Sequence, residues 1–140
     1  MIVPVETPLT EPYWAAARRG EVLLQVCGEC GLVWHPPAPL CPECRGTSWR
    51  WMPASGRGYV YSVTRVEHVA HGQVTNAVPY VLVLLTLAEG PLFLCGLDRS
   101  EPGDAAADEA TDEAGLSGRA VRIGLGTAAG GLQLPMARLV

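Results

Sequence analysis

Cys27-Gly28-Glu29-Cys30-Gly31 and, after a gap of ten residues from Cys30, Cys41-Pro42-Glu43-Cys44-Arg45-Gly46 decide how this 140-residue chain is read. Each Cys-x-x-Cys pair can aim two thiolates at one ion, and two such pairs complete the closed tetrahedron of a structural zinc site. Gly28 and Gly31 let the backbone turn tightly enough to bring both sulfurs inward, and the second cluster repeats the design. Cys27, Cys30, Cys41 and Cys44 are therefore the expected ligands of one Zn2+, with iron as the substitute expected in recombinant material. Four thiolates leave no open coordination position, so the ion is expected to hold structure and not to act as a Lewis acid.

Disulfides are the alternative use of these cysteines. The first residues lack a basic start followed by an apolar run, which argues against secretion and so against an oxidised state. A redox role fits less well still, because the pairs lie between short extended segments and not at a strand-to-helix turn. His35 is read as a loop residue before Pro36 and Pro37. Cys95, within Leu92-Phe93-Leu94-Cys95-Gly96-Leu97, is read as a buried and inert thiol.

Outward from the cysteines, the pattern is mainly β. Pro12 to Gly20 predicts a short helix, with Thr10 as its cap, alanines in its body and Gly20 at its end. Glu21 to Val26 leads into the first cysteine pair as a strand, and Trp49 to Met52 leaves the second. Tyr59 to Val66, Tyr80 to Leu87, Leu92 to Leu97, Gly118 to Ile123 and Gly131 to Met136 predict five short strands with glycine at their corners, the signature of a small Greek-key barrel of the OB type. The near-continuous apolar run from Tyr80 predicts burial on both faces or a central place in a barrel. Glu67 to Ala77 reads as a loop. The expected fold is thus an N-terminal helix (1–20), a rubredoxin-like zinc ribbon (21–54) and a five-stranded OB-fold barrel (55–140), interrupted by an acidic, flexible insertion at 98–115.

Charge narrows the function. All ten basic residues are arginine, and half of the fourteen acids fall between Asp98 and Ala114, opposed there only by Arg99. The net charge of −4 is largely a property of that segment. No apolar stretch approaches the roughly 20 residues of a membrane-spanning helix, and the chain is expected in the cytoplasm.

Between Cys44 and Val66 there are four arginines and no acid, interleaved with Trp49, Trp51, Tyr59 and Tyr61. Guanidinium groups suit phosphate oxygens, and aromatic faces suit a purine ring or a partner's apolar surface. On this reading Arg50, Arg57 and Arg65 join those aromatics, and Tyr13 and Trp14 of the helix, as candidate ligand or partner contacts. Arg57, Tyr59, Tyr61 and Arg65 share one strand face if no bulge intervenes. The plainer reading has the aromatics packing ribbon against barrel and the arginines solvated.

A helix bearing Tyr13-Trp14, then Cys27-x-x-Cys30, Pro36-Pro37, Cys41-Pro42-x-Cys44 and the strand opening Ser55-Gly56-Arg57-Gly58-Tyr59-Val60-Tyr61-Ser62 together resemble one family, the zinc-ribbon plus OB-fold proteins grouped as domain of unknown function 35. The resemblance is close over residues 11–97 and looser beyond. It implies a non-catalytic accessory subunit that binds a thiolase-superfamily enzyme in a hetero-oligomer and helps position or channel acyl-CoA, the catalytic cysteine and histidine belonging to the partner. The chain departs from the family at Ala38, where members often carry arginine, and in its acidic insertion. Single-stranded nucleic acid is the rival ligand, since ribbons and OB barrels both serve it elsewhere. A pI of 5.3 and the absence of lysine or a dense basic patch oppose that reading. An independent enzyme finds no Ser-His-Asp order, phosphate loop or open metal site to support it.

Overall fold

The computed structural model describes residues 4–69, 79–99, 113–128 and 131–140. Most of the loop expected from Glu67 to Ala77 and most of the acidic insertion expected at 98–115 lie outside those residues.

Helix α1 (Glu11–Ala17) starts at Thr10 and carries a proline in its first turn. Thr10 does not cap with its side chain. Its backbone is already helical, so the hydroxyl instead accepts the Thr7 amide at 3.0 Å and closes the preceding turn. At the other end Gly20 takes φ +77°, and a Cβ there would fall 2.3 Å from the Leu125 main-chain nitrogen. Only glycine serves where the helix exit lies against the barrel wall.

Strands β1 (Leu23–Cys27), β2 (Val33–Trp34) and β3 (Trp49–Pro53) form a three-stranded antiparallel sheet in the order β2-β1-β3. Strand β1 runs through to Cys27 itself, one residue beyond the expected strand, because Cys27 pairs with Trp49 in the β3 ladder. Leu24 and Gln25 are fully buried on this strand. Gln25 was not expected inside. Its Nε2 donates to the Ala38 carbonyl at 2.8 Å and its Oε1 accepts the Ala38 amide at 2.8 Å, so one side chain satisfies both polar groups of a loop residue.

The rest of the described chain closes a five-stranded barrel in the order β4-β5-β6-β8-β7, from β4 (Arg57–Val66), β5 (Tyr80–Leu87), β6 (Leu92–Leu97), β7 (Ala120–Thr127) and β8 (Gln133–Leu139). A single helical turn, α2 (Glu113–Leu116), precedes β7 and buries Leu116. The barrel interior holds Val60, Val83, Leu85, Leu87, Phe93 and Val121, and Tyr13, Val22 and Leu24 from the N-terminal part join the same cluster. Each such burial stabilises by roughly 1.5–3 kcal/mol, so helix, ribbon and barrel share one core.

Strands β7 and β8 run about three residues further than their patterns predicted. Gly124 and Gly126 lie within β7, and a Cβ at Gly126 would meet the Met136 sulfur at 2.9 Å. Gly126 leaves room for a methionine, and the strand continues. Strand β8 meets β6 in a short parallel seam of two pairs, Gly96 with Met136 and Leu97 with Ala137. Pro135 stands just before that seam, paired on its other side with Leu125 of β7.

Of the two places expected for strand β5 it takes the one in the barrel, between β4 and β6, and is not buried on both faces: Val81, Val83, Leu85 and Leu87 are buried, while Tyr80, Leu82, Leu84 and Thr86 on the outer side are half-exposed.

Candidate functional site

The four paired cysteines converge. Their sulfurs all lie within 4.8 Å of one another, with Cys27 to Cys44 and Cys30 to Cys41 each at 3.5 Å. That is too far for a disulfide, whose sulfurs are about 2.05 Å apart, and it suits tetrahedral thiolates at about 2.3 Å from a shared ion. The two turns are near copies. The Gly31 amide donates to the Cys27 carbonyl and the Arg45 amide to the Cys41 carbonyl, while the Cys27 and Cys41 amides reach across to the Leu32 and Gly46 carbonyls.

Backbone amides also face the sulfurs. Those of Glu29 and Cys30 point at the Cys27 Sγ at 3.4 Å, and that of Gly46 at the Cys44 Sγ at 3.4 Å. The Cys30 and Glu29 amides hold the Cys27 thiol down at about 6, favouring the thiolate that a metal needs. The copies differ at one position. After the second cysteine the first turn uses Gly31 at φ +77°, while the second places Arg45 at φ +60°. A left-handed arginine costs on the order of 1 kcal/mol, tolerated where the surrounding turn fixes it.

A small apolar cluster of Cys27, Trp34 and Cys41 closes over the site, with Trp49 packed against it. Trp34 meets Trp49 edge-on at 6.4 Å, and Trp49 meets Trp51 edge-on at 5.5 Å. Trp34 was not singled out from sequence, although its place three residues after Gly31 in a strand was the available signal. Its indole N–H is buried with no acceptor among the described residues.

His35 takes no part in the cysteine cluster; it joins ribbon to barrel. Its ring lies 5.6 Å from that of Tyr13 and 5.0 Å from that of Phe93, and burial pushes it down to about 4. A neutral ring below its ordinary 6.5 contributes stability that is present above pH 6.5 and is lost as pH falls toward 4. The cost of acidification should be on the order of 2 kcal/mol after allowing for water at the ring's exposed edge. Urea unfolding between pH 7 and pH 4.5 should show that loss, and His35→Phe should flatten the slope. An unchanged slope would remove His35 from this role. Cys95 is buried, and burial pushes its thiol up to about 12, so it stays protonated and unreactive at neutral pH.

The aromatic and arginine candidates separate. Tyr13 is 8% exposed and its hydroxyl is pushed up to about 12 by burial, then by the Cys95 thiol, so it anchors α1 in the core and offers no free surface. Trp14, Trp49 and Trp51 are half-buried, and Arg50 is exposed. Arg57, Tyr59, Tyr61 and Arg65 do not share one face. A bulge between Val60 and Ser62 shifts the β4 register against β5, so that Arg65 stands opposite the buried Val81 at the barrel mouth, while Tyr59 stands opposite the outward Thr86. Arg65 pairs there with Glu67 at 2.5 Å.

Two family models match this architecture. One, described as the ChsH2 rubredoxin-like zinc ribbon domain, matches residues 14–50; the other, the ChsH2 C-terminal OB-fold domain, matches residues 51–124, more than half of the chain. The chain belongs to the ChsH2 family of zinc-ribbon and OB-fold proteins. Among curated ChsH2-like relatives it is 34% identical over 85 residues to a probable enoyl-CoA hydratase alpha subunit of Thermomonospora curvata, covering 61% of this chain and 26% of that protein. It is 38% identical over 65 residues to a DUF35 domain-containing scaffold protein of Methanocaldococcus jannaschii, covering 46% of this chain and 45% of that one. It thus matches less than half the length of either. Among solved structures, a chain of the Ltp2-ChsH2(DUF35) aldolase superposes with a TM-score of 0.74 at 28% identity, covering 98% of both chains. A DUF35 protein of unknown function from Sulfolobus solfataricus, at 15% identity and a TM-score of 0.60, shares the fold.

Among the described residues no helix is long and apolar enough to cross a membrane.

Proposed function

We propose that this chain is a cytoplasmic, non-catalytic accessory subunit that binds a thiolase-superfamily enzyme, whether thiolase, aldolase or acyltransferase, in a hetero-oligomer and helps position its acyl-CoA substrate. The observation that carries this reading is the end-to-end likeness to the chain of the Ltp2-ChsH2(DUF35) aldolase. The scaffold and hydratase-subunit descriptions of the curated relatives support the same class of role.

The division of labour follows the 1–20, 21–54 and 55–140 segments. Zinc, held by Cys27, Cys30, Cys41 and Cys44, supplies a rigid cross-link and no reactive coordination site. Gln25 then fixes the Pro36 to Leu40 loop through both polar groups of Ala38. Arg57, Tyr59 and Tyr61 on the outside of β4 are the best-placed of the exposed candidates to border the acyl-CoA path. Arg65 faces the barrel mouth and is less suited to that path. Single-stranded nucleic acid remains the weaker reading, because phosphate-backbone binding needs several cations along one groove and the arginines here are scattered over two faces.

Size-exclusion chromatography of the purified chain with a candidate thiolase-superfamily partner from the same organism, with and without acyl-CoA, tests the reading. Co-elution at a fixed ratio is expected. Separate elution under both conditions, or a salt-sensitive shift of single-stranded DNA in its place, would overturn it.

A further inference from the structure

The outer side of the barrel is not uniformly polar. Along β5 the outward residues are Tyr80, Leu82, Leu84 and Thr86, and on β6 they are Leu92, Leu94 and Gly96. The ladders place Tyr59, Thr86 and Leu92 in one row, and Ser62, Leu84 and Leu94 in the next. Tyr61 sits at the bulge beside the second row and is 64% exposed, and Leu94 is 60% exposed. No charged side chain occurs at these outward positions of β5 and β6. Toward β8 the wall dips over Gly96 into a concavity of about 480 Å3, with Leu82, Leu94, Leu134 and Met136 among its lining residues. A connected apolar face of this kind on a sheet is what interaction surfaces look like.

The margin of this wall identifies what covers it. At the β4 edge Arg57 stands directly opposite Arg122 of β7. Like charges paired across strands destabilise a sheet unless an anion lies between them. Among the described residues neither arginine has a carboxylate partner, whereas Arg138, next in the same row, is neutralised by Asp98 at 2.8 Å. A second copy of this chain paired across a two-fold axis through the wall would bring the opposite margin, around Leu134 and Tyr80, against these arginines. Among the described residues that line the concavity at that margin there is no carboxylate, and Glu67, which follows Val66 opposite Tyr80, is already paired with Arg65.

We infer that the outer wall of β4, β5 and β6 is the surface on which the partner enzyme packs, and that this enzyme meets the wall with an apolar centre and with carboxylates at the rim that pair with Arg57 and Arg122. The inference rests on the accessory-subunit reading and adds to it the face, the orientation and the partner's surface chemistry. The concavity over Gly96 receives one large apolar side chain of the partner, as a central anchor.

The test titrates the same candidate partner enzyme with wild-type protein and four variants, each checked for stoichiometric zinc and an unchanged melting temperature. Leu94→Glu should weaken binding by roughly a hundredfold or more, and Tyr61→Ala, at a side chain too exposed to disturb folding, by roughly tenfold. Arg57→Glu should lower the association rate and flatten its salt dependence, with a roughly tenfold loss of affinity. Thr47→Glu, exposed on the ribbon and away from the wall, should bind as wild type. Wild-type binding that survives both Leu94→Glu and Tyr61→Ala overturns the surface and leaves the accessory role standing. Wall variants that convert a self-associated chain to monomer at unchanged enzyme affinity overturn it in favour of a second copy. A wild-type chain that does not bind the enzyme at all ends both proposals together.

Discussion

Replacing Cys41 by serine should abolish stoichiometric metal and lower the melting temperature by on the order of 10 °C. Cys41 has no exposed surface, and its sulfur lies 3.5 Å from that of Cys30. The ribbon's own apolar cluster buries only Cys27, Trp34 and Cys41, with Leu32, Ala38 and Trp49 partly buried against them, too little to hold two turns and a two-residue strand together. Structural zinc contributes about 10–16 kcal/mol of binding free energy in isolated zinc-finger peptides. Loss of one thiolate forfeits much of that and leaves three cysteines without a stable charge state. The change should be visible in tryptophan emission, because Trp34 and Trp49 pack at the site, and in elemental analysis of the freshly reduced protein. A Cys41→Ser protein that retains one equivalent of zinc and melts with the wild type would remove the metal from this account.

The second large effect should come from a residue with no charge and no metal. Gln25→Leu preserves the volume of a fully buried side chain and removes two hydrogen bonds of 2.8 Å. The Ala38 amide and carbonyl then lose their partners. Each stranded group costs about 1–3 kcal/mol, so a loss of about 3 kcal/mol is expected in denaturant unfolding. The loop from Pro36 to Leu40 should exchange its amides faster as well. Stability within 0.5 kcal/mol of wild type, by the same measurement, would show that water replaces the glutamine at little cost.

Much of this was written locally. The cysteine spacing gave the ribbon because two thiolates per tight turn is a geometric requirement carried by adjacent residues, and the five β patterns gave the barrel because alternation is local too. What escaped depended on pairings between distant segments. Gln25 looks like a polar residue on a strand until Ala38, thirteen residues on, is brought against it. His35 looked like a loop residue because Tyr13 and Phe93 arrive from either end of the chain. The bulge that separates Arg65 from Tyr59 is set by the β5 register, which no residue in β4 announces. Gly126 is illegible for the same reason: its purpose is Met136, on the neighbouring strand. The apolar run in β5 pointed to burial on both faces or a place within a barrel; the strand takes the second, and its apolar excess turns outward.

Strand β1 belongs to two bodies at once, since Leu24 enters the barrel's core and Cys27, three residues later, ends at the metal cluster. Complete release of the ion is therefore expected to need large-scale breathing of the molecule: the Cys27 sulfur cannot swing free while its strand is clamped at the other end, whereas Cys30 and Cys44 stand exposed. Dissociation measured with a chromogenic chelator would then run at the pace of global opening, and anything that clamps the barrel from outside would lengthen the lifetime of the bound ion.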